Sequence, residues 1–217
     1  MRLEAVVFDF DGTILDTESG ELTAWLEEYE RHGVPFDRVA WLGSVGGSGQ
    51  EIDLAAALAR GAGAGFDPVR ARARQRARWL ELVAEAELLA GVEDRLDEAD
   101  ELGLALAVAS SSGGRWVDDH LRRLGLRDRF QVVVNRDDVE RVKPDPELYL
   151  LACERLGVRP ENAVAIEDSA NGVRAANAAG LFTVAVPNPV TAGQDHTHAG
   201  LRVASLLDFS LKRLTDN

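Results

Sequence analysis

Asp9 and Asp11 stand two positions apart at the end of an apolar run that begins at Ala5, and Gly12 follows them directly. In an open α/β sheet, ligands bind beyond the carboxyl ends of the strands. A carboxylate buried without a partner is costly, so we expect both side chains just past the strand end, where they could converge on a divalent cation. A glycine at this point lets the backbone turn sharply and come close to a ligand.

A second acidic pair, Glu167 and Asp168, closes another apolar run, and Ser169 follows it. Asp168 or Ser169 could instead cap the helix that we expect next. Two strands that both end in paired carboxylates favour a hard-metal site, because Mg²⁺ prefers oxygen ligands. His196 and His198 have a spacing that zinc sites use, but we interpret both as surface residues.

Three serines and two glycines follow a further apolar run, at residues 110–114. Backbone N–H groups and hydroxyls at such a turn can hold an anion, which makes Ser110 and Ser111 candidate phosphate ligands. The alternative is a helix cap with a flexible turn. Lys143 is one of only two lysines among 24 basic residues, which favours a need for a compact point charge over chance retention on the surface. Carboxylates, hydroxyls, a metal and one lysine suit phosphoryl transfer, in which catalysis is mostly positioning and charge neutralisation.

The composition limits the classes of partner. The chain has 217 residues, and its 37 acidic and 24 basic residues give a net charge of −13. This balance argues against a general affinity for nucleic acid or anionic membranes, but not against a small anion, because a bound metal can make a site locally positive. No apolar run approaches the roughly 20 residues of a membrane-spanning helix. Cys153 is the only cysteine, so we expect a buried thiol in a soluble, cytoplasmic protein without an internal disulfide.

Five short apolar runs are typical of buried parallel strands. They are residues 5–10, 104–109, 132–134, 163–166 and 182–186. Helix-favouring segments separate the later runs, at residues 117–124, 146–156 and 169–179, each followed by a glycine that can end a helix. Strands that alternate with helices of this length predict an α/β fold with a doubly wound parallel sheet.

Residues 17–90 break this alternation, and we interpret them as a mostly helical inserted domain, with residues 1–16 and 91–217 forming the core. The helix-favouring stretches in the insertion are residues 22–31, 51–60 and 69–89. Five arginines alternate with other residues over 70–78, and we expect a solvated helix that pairs them with glutamates farther along the same helix. The alternative is a basic patch that recruits a substrate anion. We interpret the glycine-rich residues 43–49 as a flexible loop.

The residues with chemistry resemble, in order, the four motifs of the haloacid dehalogenase (HAD) superfamily. Residues 9–13 (DFDGT) resemble the first motif, Ser110 the second, residues 143–146 (KPDP) the third and residues 167–169 (EDS) the fourth. With the helical insertion after the first motif, the resemblance covers nearly the whole chain. The arrangement is similar to the subgroup of phosphoglycolate phosphatase, small sugar-phosphate phosphatases and β-phosphoglucomutase. It implies a Rossmann-like core with a mobile α-helical cap.

The resemblance also implies a mechanism. Asp9 would attack phosphorus and form an aspartyl-phosphate, and Asp11 would protonate the leaving oxygen and then deprotonate the attacking water. Ser110 and Lys143 would hold the phosphoryl oxygens. The expected reaction is Mg²⁺-dependent hydrolysis of a small phosphorylated metabolite, such as a sugar phosphate, by a monomer or homodimer.

The metal site that the resemblance implies uses oxygen ligands from two strand ends. Mg²⁺ would be held by the Asp9 carboxylate, the backbone carbonyl of Asp11 and Asp168, with Glu167 close by or acting through water. The cation would offset repulsion between Asp9 and the phosphate dianion.

Several features separate the activities within this superfamily. Asp11 argues against dehalogenation, since a halide leaving group needs no general acid. No lysine occurs in residues 17–90, so the Schiff base of the phosphonatase branch is excluded. Glu21 stands near the position of a histidine in β-phosphoglucomutase, and residues 46–50 lack the arginine of its cap. Hydrolysis is therefore favoured over β-phosphoglucomutase-like phosphoryl transfer, and a receiver-like module or a non-catalytic phosphate-binding protein remain as further alternatives.

The tryptophans do not identify a substrate. We interpret Trp25, Trp41 and Trp79 as packing residues of the cap. Trp116 could line the entrance to the site or pack within its helix.

Overall fold

The computed structural model describes residues 2–42, 45 and 53–215. In these ranges the strands are β1 (Ala5–Phe8), β2 (Ala105–Ala109), β3 (Val132–Val134), β4 (Ala163–Glu167), β5 (Phe182–Ala185) and β6 (Leu201–Arg202). They form one parallel sheet in the order β3-β2-β1-β4-β5-β6, with β1 near the middle. The predicted α/β fold is confirmed. The sequence analysis does not predict β6, which at two residues is too short to give a periodic signal.

Helices of the insertion follow β1, and helices of the core cover the sheet. In the described ranges the insertion contains α1 (Glu18–Arg31), α2 (Arg38–Leu42), α3 (Leu54–Gly61) and α4 (Pro68–Glu85), which we call the cap helices. The core contains α5 (Val92–Glu101), α6 (Gly114–Arg123), α7 (Glu147–Leu156), α8 (Ala170–Ala179) and α9 (Lys212–Thr215). The limits of the cap domain, 17 and 90, stay a prediction. Over the described ranges, no helix combines the length and the apolar character that crossing a membrane requires.

Local chemistry sets the ends of several helices. Asp67 accepts hydrogen bonds from two backbone N–H groups in the first turn of α4, and Pro68 occupies a position where no N–H is needed. Gly157 and Gly180 end α7 and α8 in the left-handed region, which glycine adopts without strain. Both glycines are the stop signals that the sequence analysis identifies.

Both faces of the sheet are buried, which accounts for the continuous apolar runs. Val6 and Phe8 of β1 pack in the cluster that contains α5 and α6. Ala5 and Val7 pack in the cluster that contains α7 and α8. Cys153 belongs to this second cluster, and its burial raises the pKa of its thiol to about 11, so it is buried as predicted.

The cap helices enclose a separate apolar cluster. It includes Trp25 and Tyr29 of α1, Trp41 of α2 and Leu58 of α3. Val190, from the loop after β5, joins the same cluster. The cap therefore packs on the core through this loop.

Two arginines of α4 pair with another helix, so the predicted pairing along α4 describes only part of their contacts. Arg74 donates to the carboxylate of Glu28, and Arg78 donates to Glu27 at 3.0 Å, with both glutamates on α1. Along α4 itself, Arg78 lies 3.4 Å from Glu81. The pairing fastens the long helix of the cap to its neighbour.

The chain crosses between core and cap twice, and the two crossings lie side by side. Leu15 in the first crossing forms an antiparallel bridge with Leu88 in the second. The backbone N–H of Leu89 donates to the carbonyl of Ile14 at 3.0 Å. Helix α4 ends at Glu85, earlier than the predicted residue 89, because the chain beyond it extends to form this pairing.

Candidate active site

Three of the predicted groups leave neighbouring strands at one edge of the sheet. Phe8, the last residue of β1, pairs with β2 on one side and with β4 on the other. In this register Asp9 follows Phe8 at the level of Glu167, and Ser110 follows Ala109, the last residue of β2. This is the edge at which open α/β sheets bind ligands.

Asp9, Glu167 and Asp168 place carboxylate oxygens within 4.8 Å of one another, and all three side chains are buried. We call them the acidic trio. The ammonium of Lys143 is also buried, where it donates to Asp9 and lies 2.6 Å from an oxygen of Glu167. One cation leaves three buried carboxylates incompletely neutralised. The donor set consists of carboxylate oxygens, which are the ligands that a hard divalent metal ion prefers.

The pKa values of the site reflect this crowding. Burial raises the pKa of Asp9 to about 7, with Lys143 opposing the shift and Glu167 adding to it. Burial also raises the pKa of Asp168 well above its ordinary value, and the nearby Glu18 contributes. Burial opposes the charge on Lys143, but the Asp9 and Glu167 carboxylates outweigh it and raise the pKa of the lysine. The raised pKa values of Asp9 and Asp168 favour their protonated forms, and a bound divalent cation would displace those protons.

Glu167 is fixed by contacts on several sides. The hydroxyl of Tyr149 donates to Oε1 of Glu167, and the hydroxyl of Ser169 lies 3.4 Å from its Oε2. Ser169 also caps α8, as the alternative interpretation holds, by accepting from the backbone N–H of Gly172 at 3.1 Å. A Cβ added to Gly172 would lie 1.9 Å from Cδ of Glu167. Only a glycine at this position leaves room for the carboxylate.

Asp11 occupies a different environment from the acidic trio. Its Oδ1 accepts from Thr17 Oγ1 and from Trp116 Nε1, each at 2.9 Å. Its Oδ2 accepts from Ser112 Oγ at 2.6 Å and from Ser110 Oγ at 3.2 Å. The side chain of Asp11 is thus occupied by hydrogen-bond donors, and metal ligation through its backbone carbonyl stays a prediction.

The serine loop after β2 faces the same space. Ser110 Oγ accepts from the backbone N–H of Ser112 at 3.0 Å. Ser111 lines a cavity, and its buried Oγ has no hydrogen-bond partner among the described residues. A buried hydroxyl without a partner is unfavourable, so the site fits a ligand that bonds with it. The roles of Ser110 and Ser111 as phosphate ligands stay predictions.

A polar group that the sequence analysis misses surrounds Asp168. Asn188 Nδ2 donates to Asp168 Oδ2 at 2.8 Å and to Glu18 Oε2 at 2.9 Å, and Thr191 Oγ1 donates to Asp168 at 3.2 Å. Burial raises the pKa of Glu18 to about 8. Gly12, with a φ of 86°, brings the backbone so close that an added Cβ would lie 2.5 Å from Asp168 Oδ2. Asn188 follows β5, so the rule that polar residues beyond strand ends form the site could have identified it.

A cavity of about 430 Å³ opens between this edge of the core and the cap. The core contributes Asp9, Asp11 and the serine loop. The cap wall is aromatic and mixed in charge, and it includes Glu21, Trp25, Trp41, Arg72 and Trp79. Burial raises the pKa of Glu21 to about 7, and the charge of Asp11 adds to the shift. The volume suits a small metabolite.

The interpretation of His196 as a surface residue is wrong. Its side chain is buried, and its ring nitrogens lie 2.7 Å from the carbonyl oxygen of Asp168 and 2.9 Å from that of Gln194. His198 is exposed, as predicted. His196 therefore supports the loop that follows β5 beside the acidic trio.

Replacing Gly172 tests the placement of Glu167. Because the added methyl group of Gly172→Ala collides with the Glu167 carboxylate, we expect the free energy of unfolding to fall by about 1–3 kcal/mol in chemical denaturation. Gly193→Ala is the matched control, since an added Cβ there meets nothing within 4 Å. Equal stability of the two variants would contradict the tight packing described for Gly172.

Comparison with known proteins identifies relatives of the chain. The family model of the haloacid dehalogenase-like hydrolases matches residues 3–180. The chain is 39% identical over 218 residues to YhcW of Bacillus subtilis (strain 168), whose name marks it as a candidate phosphatase, with 99% of this chain and 97% of that protein covered. It is 36% identical over 182 residues to the phosphorylated carbohydrates phosphatase of Thermotoga maritima, with 82% of each covered.

A solved structure agrees with the fold. The crystal structure of a candidate β-phosphoglucomutase from Thermotoga maritima superposes with a TM-score of 0.79 at 30% identity, covering 99% of each chain. The two chains therefore share one fold over nearly their full length. The chain belongs to the haloacid dehalogenase-like hydrolase family, and it is an enzyme of the phosphatase type.

Proposed function

We propose that this chain is a Mg²⁺-dependent phosphatase of a small phosphorylated carbohydrate, acting through an aspartyl-phosphate on Asp9. The observation that carries the proposal is the buried contact between Lys143 and Asp9 at a cavity that Asp11 also lines. The proposed nucleophile Asp9, the proposed proton carrier Asp11 and the ammonium of Lys143 are thus grouped at one cavity. A relative named for phosphorylated carbohydrates supports the substrate class.

The reaction follows from the two aspartates. In the first half-reaction, an oxygen of Asp9 bonds to phosphorus while the bond to the leaving oxygen breaks, and Asp11 gives that oxygen a proton. In the second, water bonds to phosphorus while the bond to Asp9 breaks, and Asp11 takes the proton of the water. Asp11 suits this exchange because its hydrogen-bond donors hold the carboxyl group in one orientation.

Lys143 favours the ionised form of Asp9, which is the form that attacks phosphorus. Its ammonium lowers the pKa of Asp9 against the effect of burial and so favours the nucleophilic carboxylate. Because Lys143 is held by Glu167 as well, it has a fixed position from which it can meet a phosphoryl oxygen. Ser110 and Ser111 would bind further phosphoryl oxygens.

The acidic trio is where Mg²⁺ would bind. Asp9, Asp168 and the backbone carbonyl of Asp11 would hold the ion, and the bonds of Glu167 with Lys143 and Tyr149 favour an indirect role for Glu167. The bound ion supplies positive charge that offsets the repulsion between Asp9 and a phosphate dianion.

Mutase-type phosphoryl transfer is the competing function, because a candidate β-phosphoglucomutase is similar in structure. A mutase that works through a bisphosphate must bind a second phosphate. Residues 43–52 contain no lysine or arginine. In the cap wall, Arg72 is paired with Asp53 at 2.6 Å, and Glu21 adds an acid. The charge of this wall favours a neutral polyol over a second phosphate.

Replacing the nucleophile tests the reaction. Asp9→Asn should lower phosphate release from a sugar phosphate by on the order of 10³-fold or more, since the amide cannot form the acyl-phosphate. Asp119→Asn, at an exposed pair with Arg115, is the matched control and should retain wild-type turnover. EDTA should stop the wild-type reaction, and added Mg²⁺ should restore it. Undiminished activity of Asp9→Asn would refute the assignment.

The substrate class can be tested with matched pairs of sugar phosphates. A sugar 6-phosphate should have a kcat/KM about tenfold or more above that of the corresponding 1,6-bisphosphate, because Arg72, the arginine in the described part of the cap wall, is already paired with Asp53. Supplied with a sugar 1-phosphate, the enzyme should release inorganic phosphate. Conversion to the 6-phosphate without phosphate release would instead establish the mutase function.

The raised pKa values predict how Mg²⁺ stabilises the protein. Burial raises the pKa of Asp9 from 3.8 to about 7 and the pKa of Glu18 from 4.5 to about 8. A carboxyl group with a raised pKa stabilises the fold at low pH, and this stabilisation is lost as the pH rises through the folded-state pKa. Metal-free protein should therefore lose stability between about pH 4 and about pH 8, so the increase in Tm with Mg²⁺ over EDTA should be larger at about pH 8 than at about pH 5.5.

The control for this measurement is Asp168→Asn, which removes a proposed ligand and should lose most of the increase in Tm at both pH values. A wild-type increase that does not depend on pH would contradict the proposal that the metal displaces protons from these acids.

A further inference from the structure

A stacked pair of tryptophans joins the cap to the core beside Asp11. Trp79 lies on α4, and Trp116 lies in the first turn of α6. Their ring centroids are 4.8 Å apart, with the ring planes at 29°. This offset stacking is a favourable arrangement for two aromatic rings. Trp79 thus does more than pack within the cap, and Trp116 lies at the junction of cap and core.

Hydrogen bonds connect both indole N–H groups to the same carboxylate oxygen, Oδ1 of Asp11. Trp116 Nε1 donates directly to Asp11 Oδ1 at 2.9 Å. Trp79 Nε1 donates to the backbone carbonyl of Thr17 at 2.9 Å, and the hydroxyl of Thr17 donates to the same Oδ1 at 2.9 Å. The four residues form a closed ring of contacts, two of them across the boundary between cap and core.

Neighbouring contacts hold this ring in place. The ring of His120 packs edge-on against Trp116, with centroids 4.3 Å apart, and burial lowers the pKa of His120. Arg123, at the end of α6, donates to the carbonyls of Val83 and Ala86 at 3.3 Å and 3.1 Å. Helix α6 is therefore tied to the end of α4 at a second point.

We infer that Trp116 is a positioning residue for Asp11 and that Trp79 makes this positioning depend on the placement of the cap. The inference rests on the proposed function, in which Asp11 carries a proton. An indole N–H can only donate, whereas the hydroxyls of Thr17, Ser110 and Ser112 can donate or accept. Trp116 therefore keeps Oδ1 as an acceptor, and the proton of the acid form belongs on Oδ2.

This arrangement makes the proton-transferring geometry conditional on the cap. If the cap moves away from the core, Trp79 leaves the face of Trp116, and Thr17, at the start of the cap, moves away from Asp11. Both groups that bond Oδ1 then lose their support. Asp11 is thus oriented for proton transfer when the cap lies on the core and its cavity excludes water.

The first test needs no substrate. In a ¹H–¹⁵N spectrum of the full chain, the indole resonance of Trp116 should move upfield in Asp11→Ala, because its charged acceptor is removed. The resonance of Trp79 should move with it through the stack. Trp41, which lies on α2 with its ring 6.3 Å from that of Phe36, provides an internal reference. Unchanged Trp79 and Trp116 resonances in Asp11→Ala would overturn the inference, whether or not the protein turns over a phosphate.

The second test is kinetic. Trp116→Phe keeps a ring against Trp79 but removes the N–H, so kcat for a sugar phosphate should fall about tenfold while KM changes less than about twofold. Trp79→Leu removes the stack and should also lower kcat. If Trp79 acts through Trp116, the double variant should lose much less than the product of the two single losses.

The outcomes separate this inference from the proposed function. A wild-type protein without phosphatase activity would refute the proposed function, and the spectra would still test the contact of Trp116 with Asp11. Wild-type turnover that Trp116→Phe leaves unchanged would refute the positioning role alone. If the two tryptophans had a purely structural role, both variants would have a lower Tm and a higher KM. The losses of kcat in Trp116→Phe and Trp79→Leu would then multiply in the double variant.

Discussion

The contact that the site depends on is the buried ammonium of Lys143 between Asp9 and Glu167. A carboxylate at the end of a fully buried strand is costly to ionise, and the lysine is the counter-ion that makes an ionised Asp9 accessible. Glu167 in turn keeps the lysine in place, and the hydroxyl of Tyr149 donates to the same Glu167 oxygen that the lysine contacts. The glycine at position 172 follows from the placement of Glu167, because the Glu167 carboxylate fills the volume that a Cβ at this position would need.

The two aspartates of the first motif, Asp9 and Asp11, lie in different chemical environments. Asp9 belongs to the acidic trio, whereas Asp11 is surrounded by hydroxyls and an indole N–H. β1 ends at Phe8, so residues two apart no longer share one face as they would within a strand. The separation lets one carboxylate act as nucleophile and the other as proton carrier. It also places the proton carrier, and not the nucleophile, in contact with the junction of cap and core.

The sequence predicts the part of this site that depends on strand ends. Asp9 and Glu167 are predicted because they lie at the ends of apolar runs, and a parallel sheet must bring such ends together. Lys143 is predicted because lysine is rare in this chain. The sequence does not predict Asn188 and leaves two interpretations of Trp116, because their contacts depend on the path of a loop and on the packing of the cap. The end of α4 was misjudged for a similar reason: pairing of the two crossings overrides local helix propensity.

Direct detection of the covalent intermediate tests the central claim most directly. Enzyme mixed with a sugar phosphate and Mg²⁺ would be quenched in acid, reduced with borohydride and digested, and its peptides analysed by mass spectrometry. Borohydride reduces an acyl-phosphate to an alcohol, so reduction is predicted at Asp9, and only in samples that contain substrate. Turnover with no reduced residue, or with the reduced residue at another position, would contradict the account of Asp9 as the nucleophile.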